Sequence, residues 1–350
     1  MNSREKTRPV QIGNLQLGGQ NRVLSQTMCS IKTSRVEEVS AQINRCAALG
    51  ADLMRLSCLD AEDAASFRAI KEKTAIPLIA DIHFDYRLAL LAMDSGVDAI
   101  RINPGNVDGL DRISAIVEKA KEKRVPIRIG VNSGSIDPSI YAGSSTVSGS
   151  HLVESAKKHA AILESLGFRD IVLSLKGSDV RETVAAYRLS AQTFPYPLHL
   201  GITEAGPKDI GLIRSSAGIA PLLLDGIGDT IRVSLSDDPE EEIKACCRLL
   251  HDLGLYPDYP TLISCPTCGR TCVDLIPVAK ALMDYAEAHR IPKTIAVMGC
   301  VVNGPGEARH ADIGCAGGNG KWVLFKKGQP FKTVSEDAVL SEMITLLEEK

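Results

Sequence analysis

Three cysteines and a glutamate near the C-terminus are the residues in this chain best suited to chemistry. Cys265 and Cys268 stand in Ser264-Cys-Pro-Thr-Cys-Gly-Arg270. Cys300 and Glu307 stand in Met298-Gly-Cys-Val-Val-Asn-Gly-Pro-Gly-Glu307. Soft thiolates at CxxC spacing, with a third cysteine and a carboxylate further on, read as a metal or cluster site. Zinc would prefer a second CxxC or paired histidines, and neither is present. Pro266 and the Gly304-Pro305-Gly306 turn hold the backbone close and expose N–H groups, as sulfur-rich clusters need. Cys272 and Cys315 share the stretch, and spacing leaves them open as third or fourth ligands.

A second set is spread along the first two thirds of the chain. Arg55, Asp81, His83, Arg101, Arg128, Asn132, Lys176, Glu204, Arg232 and Ser234 each fall at or just past the end of a short apolar run. Singly, each reads as a solvated or paired residue. Together they would gather four arginines and a lysine, which is costly unless an anion neutralises them. A di- or polyphosphate is the natural anion, since arginine clasps it through two parallel hydrogen bonds. Asp81, His83 and Glu204 are then candidates for acid–base or charge-stabilising work.

The elements that must position these residues repeat. Expected strands are 22–26, 52–56, 77–80, 99–102, 127–131, 170–174, 198–201 and 230–233. Expected helices between and after them are 36–49, 60–72, 86–95, 110–123, 150–167, 180–193, 207–224 and 239–253. Ser150 is the expected N-cap of the fifth helix, with Glu154 and Lys158 as an i,i+4 pair. Eight β-then-α units point to an α/β fold, a (β/α)8 TIM-like barrel, whose strand ends carry the chemistry. An open doubly wound sheet is the competitor, but no GxGxxG follows the first strand. The serine- and glycine-rich stretch 132–150 reads as a structureless lid or binding loop. From about residue 255 the rhythm changes to strands at 261–264, 294–298, 311–314 and 322–326 and helices at 273–290 and 335–348. The expected division is a barrel over residues 1–254 and a smaller α+β domain over 255–350.

The chain has 350 residues, 44% of them apolar, a net charge of −3 and ten cysteines. That suits a sizeable core and gives no global basicity for nucleic acid. No apolar run is long enough for a membrane span, and residues 1–9 lack the apolar core of a secretion signal, so the expectation is a cytoplasmic protein. Cys29, Cys46, Cys58, Cys246 and Cys247 sit in apolar or helical contexts and read as small buried hydrophobes.

The two cysteine motifs, with Asp81-Ile-His-Phe84, Arg101-Ile-Asn-Pro-Gly-Asn106, Arg128-Ile-Gly-Val-Asn132, Gly201-Ile-Thr-Glu-Ala-Gly206 and Gly226-Ile-Gly-Asp-Thr-Ile-Arg-Val-Ser-Leu235, resemble the 4-hydroxy-3-methylbut-2-enyl diphosphate synthases across nearly the whole chain. The resemblance implies the two-domain bacterial form, a [4Fe–4S] cluster ligated by Cys265, Cys268, Cys300 and Glu307, and Cys272 and Cys315 as non-ligands. It implies reductive opening of 2-C-methyl-D-erythritol 2,4-cyclodiphosphate, in the non-mevalonate isoprenoid pathway. It implies electrons from flavodoxin or ferredoxin, and a homodimer in which one subunit's cluster domain covers the other's barrel mouth. Arg55, Arg101, Arg128, Asn132, Lys176 and Ser234 would hold the diphosphate with Arg232 nearby. Glu204 would stabilise the opening C–O bond or move a proton, and Asp81 and His83 would meet the hydroxyl end. Two other classes compete: a zinc-stabilised phosphate-binding barrel without redox activity, and a non-redox lyase or pterin-type barrel with an appended scaffold domain.

Overall fold

A computed structural model describes residues 4–107, 109–141, 146–300, 308–318 and 320–349. It divides into two compact units, residues 1–255 and 256–350. The first unit opens with a hairpin, β1 (Val10–Ile12) and β2 (Leu15–Leu17), turned by Gly13 in the left-handed region. Eight parallel strands follow: β3 (Leu24–Met28), β4 (Leu53–Ser57), β5 (Leu78–Asp81), β6 (Ala99–Ile102), β7 (Ile127–Asn132), β8 (Ile171–Lys176), β9 (His199–Leu200) and β10 (Thr230–Ile231). Their helices are α1 (Val36–Leu49), α2 (Ala61–Lys73), α3 (Tyr86–Asp94), α4 (Leu110–Lys123), α5 (Gly149–Ser165), α6 (Val180–Thr193), α7 (Lys208–Leu224) and α8 (Pro239–Asp252). The strand order is β8-β7-β6-β5-β4-β3-β10-β9, and a parallel bridge between Leu173 and Leu198 completes the ring. This is the expected (β/α)8 barrel.

The hairpin packs Val10, Ile12 and Leu17 against Leu24, Leu53, Ile79, Ala99 and Val172. These residues lie toward the strands' N-terminal ends, so the hairpin floors the barrel and leaves the C-terminal ends for chemistry. Its alternation, with Gln11 and Gln16 outward, was legible and is missing from the expected strands. The first barrel strand lies two residues further on than expected, because the Leu24 amide pairs with the carbonyl of Asp229. The fifth helix is capped by Ser148 rather than Ser150: the Ser148 amide donates to His151 Nδ1 at 3.0 Å, and its hydroxyl faces the same ring. Glu154 pairs with Lys157 rather than Lys158. The serine-rich stretch holds two short 3-10 turns, Ser133–Ser135 and Pro138–Ile140.

The second unit is a five-stranded mixed sheet: β11 (Thr261–Ser264), β12 (Thr294–Met298), β13 (Ile313–Gly318), β14 (Lys321–Lys326) and β15 (Gln329–Ser335). The first three run parallel and the last two antiparallel. Helices α9 (Leu275–Ala288) and α10 (Val339–Glu348) pack Leu282, Ala286, Met343 and Leu346 onto Ile295, Val297, Cys315 and the fully buried Trp322. Strand β15, absent from the expectation, is an edge strand carrying Pro330 with nearly every side chain exposed, so no buried face patterns its sequence. Among the described residues no helix is long and apolar enough to cross a membrane.

Candidate active site

Parallel register sets the barrel site. Ser57 pairs with Asp81, Asp81 with Arg101 and Arg101 with Arg128, so these side chains share the lumen face. Asn132 pairs with Lys176 one strand further round. The result is a cavity of about 540 Å³, counted to open solvent, lined by Arg55, Asp81, His83, Arg101, Arg128, Asn132, Ser174, Lys176, Thr203, Arg232 and Ser234. Nine of the ten expected barrel residues are therefore together. Glu204 is the exception. It is exposed, does not line the cavity, and holds φ at +54°, a strained conformation for a side chain of its type.

Asp81 is the negative hub. It accepts from Arg101 Nη1 at 3.2 Å, and Arg55 Nε lies 3.7 Å and His83 Nε2 3.5 Å from it. Burial alone would push its carboxyl up. Arg55, His83 and Arg101 outweigh burial and hold it well below the usual carboxylate range. Arg128 donates to Gln26 Oε1 at 2.7 Å, while its Nε and Nη2 are buried with no hydrogen-bond partner. Burial first, then Arg55 and Arg101, disfavour its charge, yet a guanidinium cannot shed a proton at neutral pH. Two aimed, unsatisfied donors on a buried cation are what an arriving oxyanion would repair.

Sequence reasoning missed Glu242. This buried α8 residue accepts from Arg232 Nε at 2.9 Å and Nη2 at 3.0 Å, a bidentate pair, and also from Thr27 Oγ1 and the Leu235 amide. It looked like one of three glutamates at a helix start.

Glycines make the room. A Cβ on Gly201 would stand 2.6 Å from Lys176 Nζ, and one on Gly130 would overlap Arg101 Nε. At Gly130 the clash falls on the Arg101 guanidinium, and at Gly201 on Lys176 Nζ and also on the Arg232 carbonyl oxygen at 2.9 Å, so a methyl at either position displaces a cation. Gly130→Ala should weaken binding of inorganic pyrophosphate by about tenfold or more, the scale of one hydrogen bond to a charged group. The melting temperature should change little. Calorimetry beside a thermal melt checks this, and unchanged affinity would refute the spacing argument.

In the second unit, Cys265 follows β11 and Cys300 lies two residues past β12, at the carboxyl ends of neighbouring parallel strands. The Gly299 amide donates to Cys265 Sγ at 3.2 Å, and Cys272 Sγ lies 3.4 Å from the Gly299 carbonyl oxygen. Hydrogen bonds from the Arg270 backbone and guanidinium favour the Cys268 thiolate, and the same guanidinium is charge-coupled to Cys300 and Cys265. Cys315 is buried in the sheet core, where burial pushes its thiol up. Glu307 lies outside the described residues. Among those described, no three His, Cys, Asp or Glu side chains converge closely enough to hold a metal ion. The donor chemistry, soft thiolates beside a cation and a sulfur-directed amide, fits an iron–sulfur group.

Two family models match the chain: the GcpE TIM-barrel domain over residues 7–247 and the GcpE protein C-terminal domain over residues 261–349. A 4-hydroxy-3-methylbut-2-en-1-yl diphosphate synthase (flavodoxin) of Halalkalibacterium halodurans is 48% identical over 97% of this chain and 93% of its own length. Its namesake in Bacillus subtilis is 48% identical over 97% of this chain and 90% of its own. Among solved structures, Yersinia pestis dihydropteroate synthase superposes with a TM-score of 0.52 at 14% identity, covering 70% of this chain and 98% of that one. A type I 3-dehydroquinate dehydratase from Clostridium difficile gives 0.51 at 13%, covering 70% and 98%. At such identities the likeness is of the barrel fold alone.

Proposed function

The chain belongs to the GcpE family, and on that footing we propose that it reductively opens 2-C-methyl-D-erythritol 2,4-cyclodiphosphate to (E)-4-hydroxy-3-methylbut-2-enyl diphosphate, with two electrons entering and water leaving. The observation that carries this reading is the lumen's charge. Arg55, Arg101, Arg128, Lys176 and Arg232 surround one cavity, and Asp81 and Glu242 are their balancing carboxylates. An anion with several charges completes such a set.

In this reading residues 1–254 bind substrate and 255–350 carry the redox centre. Arg55, Arg101, Arg128, Asn132, Lys176 and Ser234 hold the diphosphate oxygens, and Arg232, fixed by Glu242, adds charge from the lumen wall. Asp81 stays ionised beside Arg101 and, with His83, receives the hydroxyl end of the substrate. Glu204, exposed next to the cavity-lining Thr203, would stabilise the C–O bond that opens or deliver a proton to it. Cys265, Cys268, Cys300 and Glu307 would ligate a [4Fe–4S] cluster, which when bound supplies the two electrons one at a time. Flavodoxin or ferredoxin is the donor. A homodimer is supported by apolar side chains left exposed on α6 and α7: Leu189, Ile210, Ile213 and Leu224. The described cysteines are all free thiols, which suits a reducing, cytoplasmic setting.

Anaerobically purified protein should be brown, with iron and sulfide in about equal amounts. The same sample should turn over the cyclodiphosphate with dithionite. Colourless, active-site-intact protein holding one zinc would replace this reading with the phosphate-binding barrel.

A further inference from the structure

We propose that anion binding and proton uptake are linked at Lys176, whose amine, buried among the arginines of one cavity, holds its proton less firmly in the empty lumen than beside a bound diphosphate. The inference rests on the diphosphate reading above and deepens it.

Lys176 ends β8 and is 7% exposed, with its ammonium position lying over Gly201. It shares its cavity with Arg55 from β4, Arg128 from β7 and Arg232 past β10, each of which repels its charge. Glu242 on α8 offsets them, and it is already engaged by Arg232, Thr27 and the Leu235 amide. Asp81 on β5 is taken by Arg101 and Arg55. Asn132 on β7 is its neutral register neighbour. His199 on β9 is fully buried, with no partner at either ring nitrogen. Burial first, then Arg128, lower the imidazole well below its ordinary value. Tyr187 from α6 commits its hydroxyl to the Leu175 amide and the His199 carbonyl, and burial pushes its ionisation up.

Four of the five cations are guanidiniums, which hold their protons at any working pH. The repulsion among them therefore falls on the one cation that can yield. Burial first, then Arg55, Arg232 and Arg128, lower the lysine well below its ordinary value. A diphosphate reverses the local field and restores that value. The proton comes from bulk solvent: an N–H bond forms at Lys176 as an O–H bond of hydronium, or the acid bond of the buffer, breaks. Because the bound state holds the extra proton, affinity falls as pH rises between the empty-site and occupied-site values, by up to about tenfold per pH unit.

The test titrates cluster-loaded protein with inorganic pyrophosphate in buffers of different ionisation heat, from neutral to mildly alkaline pH. Wild type should take up as much as one proton more per anion than Lys176→Arg, and should lose affinity more steeply with pH. The ligand's own ionisation is common to both. His199→Gln should keep the uptake. Equal uptake in wild type and Lys176→Arg, or uptake abolished by His199→Gln alone, overturns the inference while leaving the diphosphate reading intact. Wild type that binds no pyrophosphate sinks the reading as well. If the bulkier arginine blocks binding, cyanate decides, since it carbamylates only neutral amines. Lys176 should react faster than surface lysines in a peptide map and be protected by pyrophosphate; slower reaction than the surface lysines refutes the proposal.

Discussion

Glu242→Ala should lower the stability of the barrel by about 3–5 kcal/mol, the range for removing one member of a buried ion pair. The carboxylate takes four donors: two from Arg232, the Thr27 hydroxyl at 2.6 Å and the Leu235 amide at 2.9 Å. Alanine leaves all four unsatisfied in a site where Glu242 is 2% exposed, and it raises the lumen's positive charge by one. The neighbouring Glu240 makes a single ion pair with Arg45 at 2.7 Å, the arginine side chain 57% exposed and the glutamate 18%. Glu240→Ala should therefore cost less than about 1 kcal/mol. Chemical denaturation of both variants provides the comparison on one helix. Pyrophosphate should raise the midpoint of Glu242→Ala more than that of wild type, because the anion replaces the missing charge. Equal costs for the two glutamates would mean that Arg232 is held by something else.

What was legible in the sequence follows from periodicity and strand ends. Helices α1, α4 and α6 have the expected bounds, since each carries a clear apolar face and a polar start. The lumen cations were legible because a parallel barrel strand buries both faces, so an arginine in its apolar run has no solvent to reach except at the mouth. Residues acting from outside the strands were not legible. Glu242 meets Arg232 from a helix, where it also takes the Thr27 hydroxyl of β3. Gln26 was placed at the end of the first strand rather than inside it, and its pairing with Arg128 spans 102 residues. Gly130 and Gly201 stood in quoted motifs, but that they vacate space for Arg101 and Lys176 depends on rotamers no pattern encodes. Glu204 was named as a candidate, while its positive φ and its exposed place off the cavity lining were not legible.

Cys300→Ser should abolish turnover and strip most iron while leaving the barrel's melting unchanged. Cys300 is 8% exposed at the end of β12, next to the Gly299 amide that points at Cys265 Sγ. Serine keeps the volume but not the chemistry, because a hydroxyl stays protonated where a thiolate ligates. Loss of an outer partner of a metal ligand already costs about 10–100-fold in affinity or activity. Loss of a ligand should exceed that, so the expected fall in turnover is greater than about a hundredfold. Two other cysteines make the argument discriminating. Cys315→Ser touches a thiol inside the sheet core and should cost stability while the remaining folded protein keeps its iron. Cys272→Ser removes a thiol that stands 3.4 Å from the Gly299 oxygen, beside the site, and should retain both iron and turnover. If Cys272→Ser loses iron and Cys300→Ser keeps it, the third thiolate is Cys272. Glu307→Ala completes the set. On the proposed ligand set Glu307 would be the weakest-binding member, a carboxylate beside three softer thiolates. This variant should therefore hold most of its iron through three thiolates yet turn over poorly, a separation of iron content from activity that a purely structural glutamate would not produce.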